Sequence, residues 1–360
     1  MRVFIKTFGC QANIADSEAM AGILKERKFK LTDSEEEADA IVVNTCSVKN
    51  KTQSKILHYL RKYSGKKKLF IGGCLIKTID VRKAIPFVEA VFDTNNITKI
   101  AEILENKKDY FSSVKENRIG LPVVRYRNEI GIINISQGCL NKCTFCATKL
   151  SRGNLKSYRI GDIKRAVENA VSEGCKIIYL TSQDNGCYGF DIGTNLPELL
   201  KEVVAVEGDF KFRVGMMNPW HLRKILQDLL KVYESDKIIK FLHIPVQSGS
   251  ERGLKEMFRS GSLKEFRNAV LKFREKFPQI TIATDIILGY PTETEMDFEQ
   301  TLELIKETKP QVVNMSAFSS RQGTLASKLK QLPSEIVKQR TRRLNELYWK
   351  YRELTKIQHD

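Results

Sequence analysis

Apolar positions along the first hundred residues recur with two different periods. RVFIKTFG, AIVVNT and KLFIGG are short runs rich in β-branched and aromatic residues, and each predicts a buried strand. Between them, IADSEAMAGILKERK and VKNKTQSKILHYLRKY repeat apolar residues at helical spacing and predict amphipathic helices. That alternation predicts a parallel sheet with helices on its faces. Across NKKDYFSSVKENRIGLPVVRYRNE, residues 106–129, the periodicity lapses, and the stretch reads as a linker with an edge strand.

At Ile130 the alternation resumes. GIINISQG, KIIYLTS, FKFRVGMM, KIIKFLHIPV, ITIATDIILG and PQVVNMSAF predict six strands. The helices between them include GDIKRAVENAVSEG, where Ile163, Ala166, Val167, Ala170 and Val171 share one face. Six strands with crossover helices are too few for a closed eight-fold barrel and predict a partial one. The tail predicts a helix from Ser334, with Val337, Leu344, Leu347, Tyr351 and Leu354 as its apolar stripe. The fold class is therefore α/β: a parallel-sheet domain over 1–112, a linker over 113–129, a partial (β/α)6 TIM-type barrel over 130–328, and a C-terminal basic helix over 329–360.

Charge adds a partner class. Lys and Arg number 60 against 43 Asp and Glu, a net charge of +17, which favours a polyanion such as RNA or DNA, although a solvated basic surface gives the same count. Residues 321–360 hold ten Lys and Arg against four Asp and Glu. No apolar run is long enough to span a bilayer, and the chain opens directly on strand-like residues. A cytoplasmic protein with no leader and no membrane contact is expected.

The eight cysteines carry the candidate chemistry. In a reducing compartment they are metal ligands, reactive thiols or core residues rather than disulfides. Cys10, Cys46 and Cys74 each follow a predicted strand of the first domain. Since ligand crevices of parallel sheets form at the carboxyl ends of strands, the three would meet at one edge, and this repeated strand-end placement favours a metal site over three small buried hydrophobes. QGCLNKCTFCATKLSRG, residues 137–153, places Cys139, Cys143 and Cys146 at C-x3-C-x2-C and supplies no fourth ligand. Structural zinc closes its tetrahedron with four groups. Thiolate-only ligation suits zinc or iron–sulfur clusters, and a 4Fe-4S cube on three cysteines keeps one iron open. The loops after the later predicted strands carry TSQDNG, NPWH, PVQSGS and GYPTET, where a barrel presents functional groups.

The cysteine motif, with Phe145 before its last cysteine, resembles the signature of the radical S-adenosylmethionine superfamily. TFGCQANIADSE, VVNTCSVKNKT and GGC resemble the amino-terminal domain of its methylthiotransferases, and FLHIPVQSGS and ATDIILGYPTETEMDF resemble their radical domain. DNGCYGFDIGTNLPELL is most similar to the archaeal and eukaryotic branch, which acts on N6-threonylcarbamoyladenosine of tRNA next to the anticodon. The resemblance implies two 4Fe-4S clusters, a radical one on Cys139, Cys143 and Cys146 and an auxiliary one on Cys10, Cys46 and Cys74. It implies two S-adenosylmethionine molecules per turnover, one methylating sulfur and one cleaved to a radical that attacks adenine C2. That carbon–hydrogen bond has no acidic proton, so cofactor-borne radical chemistry replaces acid–base catalysis.

By the same resemblance, Phe145 packs near the cofactor adenine, Gln183 and Asp184 contact the methionine moiety or cap a loop, and Gln247, Ser248 and Asp285 contact cofactor or substrate. His243 and Cys175 read as core residues, and Cys187 as a loop cysteine to which the sequence assigns no partner. The family usually ends in a small RNA-binding β-barrel, TRAM, and the expectation is a protein without one. RNA contact then falls to the basic tail, with Arg340, Arg342 and Arg343, or to a separate TRAM-type protein, and a low-potential electron donor is implied. FSSRQGTLA departs from the family, which more often has prolines there. Sister branches acting on isopentenyladenosine in tRNA or on a ribosomal-protein aspartate share both cysteine patterns. A zinc-stapled, non-catalytic RNA-binding protein is the alternative of another class.

Overall fold

The computed structural model describes residues 1–47 and 50–356, without the side chains of residues 50, 51 and 353–356. Val48 and Lys49 of the expected second helix, and the Leu354 side chain of the tail stripe, lie outside these. The chain divides into two compact units: Met1–Leu140, Ala147–Gln183 and Val206–Phe210 form the first, and Asn141–Cys146, Asp184–Ala205 and Lys211–Asp360 the second.

The first unit is built on β1 (Arg2–Thr7), β2 (Lys30–Leu31), β3 (Ala40–Thr45), β4 (Lys68–Gly73) and β5 (Val88–Phe92). They form a parallel sheet in the order β2-β1-β3-β4-β5. Every residue of β3 is buried because helices cover both faces. Val3, Val42 and Phe70 point to one face, toward Met20 and Leu24 of α1 (Gln11–Glu26). Ile41, Val43 and Ile71 point to the other, toward Ile56 and Leu60 of α2 (Asn50–Tyr63). The short helices α3 (Val81–Ala84) and α4 (Ile100–Asn106) flank β5, and Ile100, Ile103 and Leu104 join the first face. Phe92 is fully buried against Gly72, where a Cβ would come within 2.3 Å of its ring.

The edge strand expected between 106 and 129 reduces to one parallel bridge, Tyr110 to Phe92. Residues 113–129 instead lie as a packed strap on α1. Gly22 makes room for the Pro122 carbonyl, and Val124 N–H donates to Glu18 O at 3.0 Å. This unit also holds the parallel pair β6 (Ile130–Asn134) and β9 (Ile177–Thr181). The antiparallel pair β7 (Ser136–Gln137) and β8 (Lys156–Ser157) follows, with α5 (Ala147–Arg152) and α6 (Ile160–Ser172). Ile163, Val167 and Ala170 are the buried face of α6, as its periodicity predicts.

In the second unit the strands are β10 (Lys211–Val214), β11 (Phe241–His243), β12 (Thr281–Leu288) and β13 (Val312–Ala317). β11, β12 and β13 form a parallel sheet, and Phe212 of β10 bonds the backbone at Lys237 and Ile239, just before β11. Connecting helices are α7 (Leu196–Val204), α8 (Pro219–Val232), α9 (Glu251–Glu256), α10 (Ser262–Lys276) and α11 (Glu295–Thr308). A reciprocal Thr294–Asp297 capping box starts α11. The tail helix α12 begins at Ser334, as expected, and runs to Lys356. Buried Leu344, with Tyr348 and Tyr351 hydroxyls donating to the Gln311 and Pro310 carbonyls at 2.9 and 2.6 Å, anchors it. Among the described residues no helix is long and apolar enough to cross a membrane.

Candidate functional site

Cys10, Cys46 and Cys74 follow the carboxyl ends of β1, β3 and β4, which are neighbours in the sheet. Register sets Thr7 beside Asn44 and Thr45 beside Gly73, so the three cysteines emerge at one edge. Cys74 N–H donates to Thr45 O at 2.9 Å, and Asn13 Nδ2 donates to the Phe8 and Thr45 carbonyls at 2.8 and 2.9 Å, tying the strand ends together. Gly9 has φ +122°, and a Cβ there would lie 2.9 Å from Cys46 Cβ and 3.2 Å from its sulfur. Only glycine leaves that thiol its room. Cys10 caps α1 without its sulfur bonding the helix backbone, and the buried Ser47 Oγ has no hydrogen-bond partner among the described residues. Burial pushes the Cys74 thiol up, and the guanidinium of Arg152 opposes this. Three soft donors at one sheet edge, with space beside the Cys46 sulfur that a side chain at Gly9 would fill, fit a thiolate-bound inorganic group.

The boundary between the compact units falls inside the C-x3-C-x2-C loop. On the first unit's side, Gly138 turns at φ +75° and its N–H donates to Gln183 Oε1 at 2.6 Å. Cys139 N–H donates to Gly153 O at 3.2 Å, and the Lys149 ammonium donates to the Cys139 carbonyl. On the second unit's side, Cys146 N–H closes on Cys143 O at 3.1 Å. Thr144 is held by four bonds: its N–H donates to Met257 O at 3.3 Å, its carbonyl accepts from Ala326 N–H at 2.9 Å, and its hydroxyl meets Tyr290 OH at 2.7 Å and Glu256 O at 3.2 Å. Phe145 packs on the cluster of Met257, Tyr290 and Ala326. Arg259, almost wholly buried, brings Nη1 to 3.6 Å from Cys143 Sγ, lies 4.7 Å over the Trp220 ring, and leaves Nε without a partner among the described residues.

Asp184 is fully buried. Its Oδ1 accepts from the Gly186 and Asn218 amides, both at 3.0 Å, and its Oδ2 from the side chains of Asn141 at 2.7 Å and Asn218 at 2.6 Å. Burial pushes the His221 imidazole, 3.4 Å away, below its ordinary value, against the opposing pull of Asp184. The buried Oδ1 of Asn218 has no hydrogen-bond partner among the described residues. Gln247 sits at φ +76°, a costly conformation for a side chain of its kind. Its N–H donates to Asp285 O at 2.8 Å and its carbonyl accepts from Ile287 N–H at 3.0 Å. Ser248 Oγ accepts from Ser250 N–H at 3.2 Å. Asp285 Oδ1 meets His243 Nε2 at 3.1 Å and Asn314 Nδ2 at 2.7 Å.

Residues 2–93 match the uncharacterized protein family UPF0004, and residues 133–305 match the radical SAM superfamily. A protein of Pyrococcus horikoshii, named "Probable threonylcarbamoyladenosine tRNA methylthiotransferase", is 41% identical over 360 residues, covering 96% of this chain and 84% of its own. The threonylcarbamoyladenosine tRNA methylthiotransferase of Homo sapiens is 38% identical over 97% of this chain and 63% of its own. The chain belongs to the threonylcarbamoyladenosine tRNA methylthiotransferase family. Among solved structures, the radical S-adenosylmethionine methyltransferase TsrM from Kitasatospora setae aligns with a TM-score of 0.65 at 13% identity, over 91% of this chain and 77% of its own. OxsB, a cobalamin-dependent radical enzyme, aligns with a TM-score of 0.59 at 12% identity, over 97% and 56%. These likenesses establish the radical SAM, TIM-type fold.

Within this methylthiotransferase, two expectations change. Arg340 does not face solvent: it is 4% exposed, with Nη1 on Glu293 at 2.6 Å and Nη2 on Glu295 at 3.1 Å. Arg343 is paired with Glu295 and Glu299. The acidic partners come from the α11 region, so a charge count along the tail overstated its free positive charge. Arg342 alone of the three is well exposed, bonded only to Glu346 at 3.3 Å among the described residues. Cys187, expected as a partnerless loop cysteine, is fully buried and donates to Asp184 O at 3.3 Å. Cys175 is buried as expected, donating to Asn128 O at 3.4 Å. The sequence reading named neither Arg152 nor Arg259, because their partners lie far away in the chain, and reached Asn218 only as part of the NPWH loop; the Ser151-Arg152-Gly153 end of the cysteine motif was the signal available for Arg152.

Proposed function

We propose that this protein installs a methylthio group at C2 of N6-threonylcarbamoyladenosine in tRNA, by radical chemistry with S-adenosylmethionine and two 4Fe-4S cubes. The observation that carries the reading is the set of three cysteines at adjacent strand ends, accompanying a C-x3-C-x2-C loop in a chain of this family. Cys139, Cys143 and Cys146 would hold the cube on which S-adenosylmethionine is bound, and Cys10, Cys46 and Cys74 the auxiliary one. When bound, the first supplies the electron for reductive cleavage of S-adenosylmethionine and the second holds the sulfur destined for the base.

The chain's own residues do the positioning. Thr144 fixes the loop backbone, Arg259 offers Cys143 a charge-assisted hydrogen bond, and Phe145 walls off water. With both oxygens occupied internally, Asp184 orients Asn141 and Asn218, so the unpartnered Asn218 Oδ1 is the polar atom left to meet a ligand. Gln183 holds the turn before Cys139. Gln247 and Ser248 follow the carboxyl end of β11, and Asp285 lies within β12 bonded through its carbonyl to the Gln247 N–H, a placement that supports a role in cofactor or substrate contact.

For the RNA, Arg342 is joined by Lys115, Lys149 and Lys156. Among the described residues the hydrogen bonds of the three lysines go to backbone carbonyls and the Asn154 amide, and none goes to a carboxylate. Burial and then the neighbouring cations Lys149, Arg118, Arg152 and Lys156 push Lys115 down to about 8, so it still carries its charge at neutral pH. Replacing the three lysines with glutamine should flatten the salt dependence of tRNA binding by about 0.7 for each phosphate no longer neutralised. The reading takes domain bounds of 1–112 and 130–328, a cytoplasmic setting, a low-potential electron donor, and a TRAM-type partner if these cations do not suffice. Anaerobic reaction with reductant, sulfide, S-adenosylmethionine and tRNA, followed by nucleoside mass spectrometry, tests it. The methylthio derivative of threonylcarbamoyladenosine is expected; product only on isopentenyladenosine, only on protein, or none would overturn it.

A further inference from the structure

The residues that close the cysteine motif, Ser151 and Arg152, do not stay with the loop they follow. Both are buried in the first unit beside the strand-end cysteines. Ser151 Oγ donates to Cys74 O at 2.8 Å. Arg152 donates through Nη2 to Asn13 Oδ1 at 2.8 Å and Asp16 Oδ2 at 2.6 Å, and its positive charge acts on the buried Cys74 thiol, pulling it down against burial. A guanidinium so deeply buried is costly unless negative charge faces it.

Asp16 does not supply enough. Its other oxygen is taken by Arg118, with Nη1 at 2.6 Å; the Arg118 guanidinium also donates to the neutral Thr94 carbonyl and leaves its buried Nε without a hydrogen-bond partner among the described residues. Two guanidiniums on one carboxylate leave a buried excess of one positive charge, preformed in the fold. A cube with three thiolate ligands carries one net negative charge when oxidised and two when reduced. The buried excess is opposite in sign and equal in size to the charge of the oxidised cube, and Arg152 is the member that faces the Cys74 thiol.

We propose that Arg152 is the positioning residue and counter-charge of the auxiliary cluster, raising its reduction potential and retaining it in the fold. This rests on the reading that Cys10, Cys46 and Cys74 hold a 4Fe-4S cube. A positive charge beside a redox centre favours the reduced state, because reduction adds the negative charge it attracts. Asn13 and Asp16 hold that charge in place from the first turns of α1, the helix Cys10 caps.

The test uses full-length protein reconstituted without oxygen, in a background with Cys143→Ala and Cys146→Ala so that the auxiliary cube alone is seen. Iron and sulfide content, thermal unfolding and an EPR-monitored redox titration are measured for the parent, Arg152→Gln and Arg152→Lys. The expected result is a more negative potential in Arg152→Gln, with iron loss, and recovery toward the parent in Arg152→Lys, which keeps the charge. A cube whose potential is unmoved by Arg152→Gln overturns this inference alone. Should Arg152→Gln fail to fold, Arg152→Lys decides: a cube kept near the parental potential supports the charge role, and cube loss with unchanged unfolding overturns it. Absence of any cube from the parent overturns the reading of the site and the inference together.

Discussion

The two cysteine groups are built in opposite ways. Cys10, Cys46 and Cys74 lie roughly thirty residues apart and are assembled by the order of strands in a sheet. Cys139, Cys143 and Cys146 share one short loop, and their spacing is local. A group assembled by topology exists only while the sheet does, and its neighbours are chosen by the fold. Gly9 clears space for a sulfur, and Arg152 arrives from a distant helix. A group assembled by a loop needs the fold to hold the loop still, which Thr144 does with four hydrogen bonds. Sites of the first kind are exposed to any loss of sheet stability, and sites of the second kind to loss of their anchors.

Deleting one ligand from each group should separate them most sharply. Wild-type protein should bind about eight irons and Cys46→Ala or Cys143→Ala about four. Cys46→Ala should still cleave S-adenosylmethionine yet form no methylthio product, while Cys143→Ala should do neither. Equal loss of both cubes from either variant would erase the distinction between the groups. Next in size, Phe92→Ala opens a cavity in the sheet that carries the strand-end cysteines and should cost about 3–5 kcal/mol in a denaturant melt. Iron loss at Cys10, Cys46 and Cys74 should accompany it.

A pH effect of up to about 3 kcal/mol bears on the same frame. Burial pushes the Glu18 carboxyl up to about 7, although the Tyr126 amide and Arg125 pull it down. Its unfolded counterpart titrates near 4.5. Protonated Glu18 therefore stabilises the first unit fully below that pH, and the contribution is lost as pH rises through about 7. Melting temperature should fall across this window, and Glu18→Gln should flatten the slope; a slope the variant retains would acquit Glu18. The smallest effect belongs to the loop: Thr144→Val removes the bond to Tyr290 OH at a cost of about 1 kcal/mol. Weaker iron retention is expected at Cys139, Cys143 and Cys146, with no change at the strand-end group.

The C-x3-C-x2-C spacing, the placement of three more cysteines after predicted strands, the alternation of strands and helices, and the start of α12 at Ser334 were readable in the chain itself. The spacing, the alternation and the helix start depend on local period, which neighbours along the sequence impose, and the strand-end cysteines were legible only through the parallel-sheet topology that this alternation implies. The supporting atoms were not. Residues 113–129 read as a lax linker because a strap needs no periodicity when its bonds go to α1 and its Arg118 to Asp16. Arg340 read as an RNA contact because Glu293 and Glu295 are remote in the chain and become neighbours only through packing. Which charges are left free, and which are neutralised or buried, is a property of pairs brought together by the tertiary structure, and one-dimensional order holds no record of those pairs.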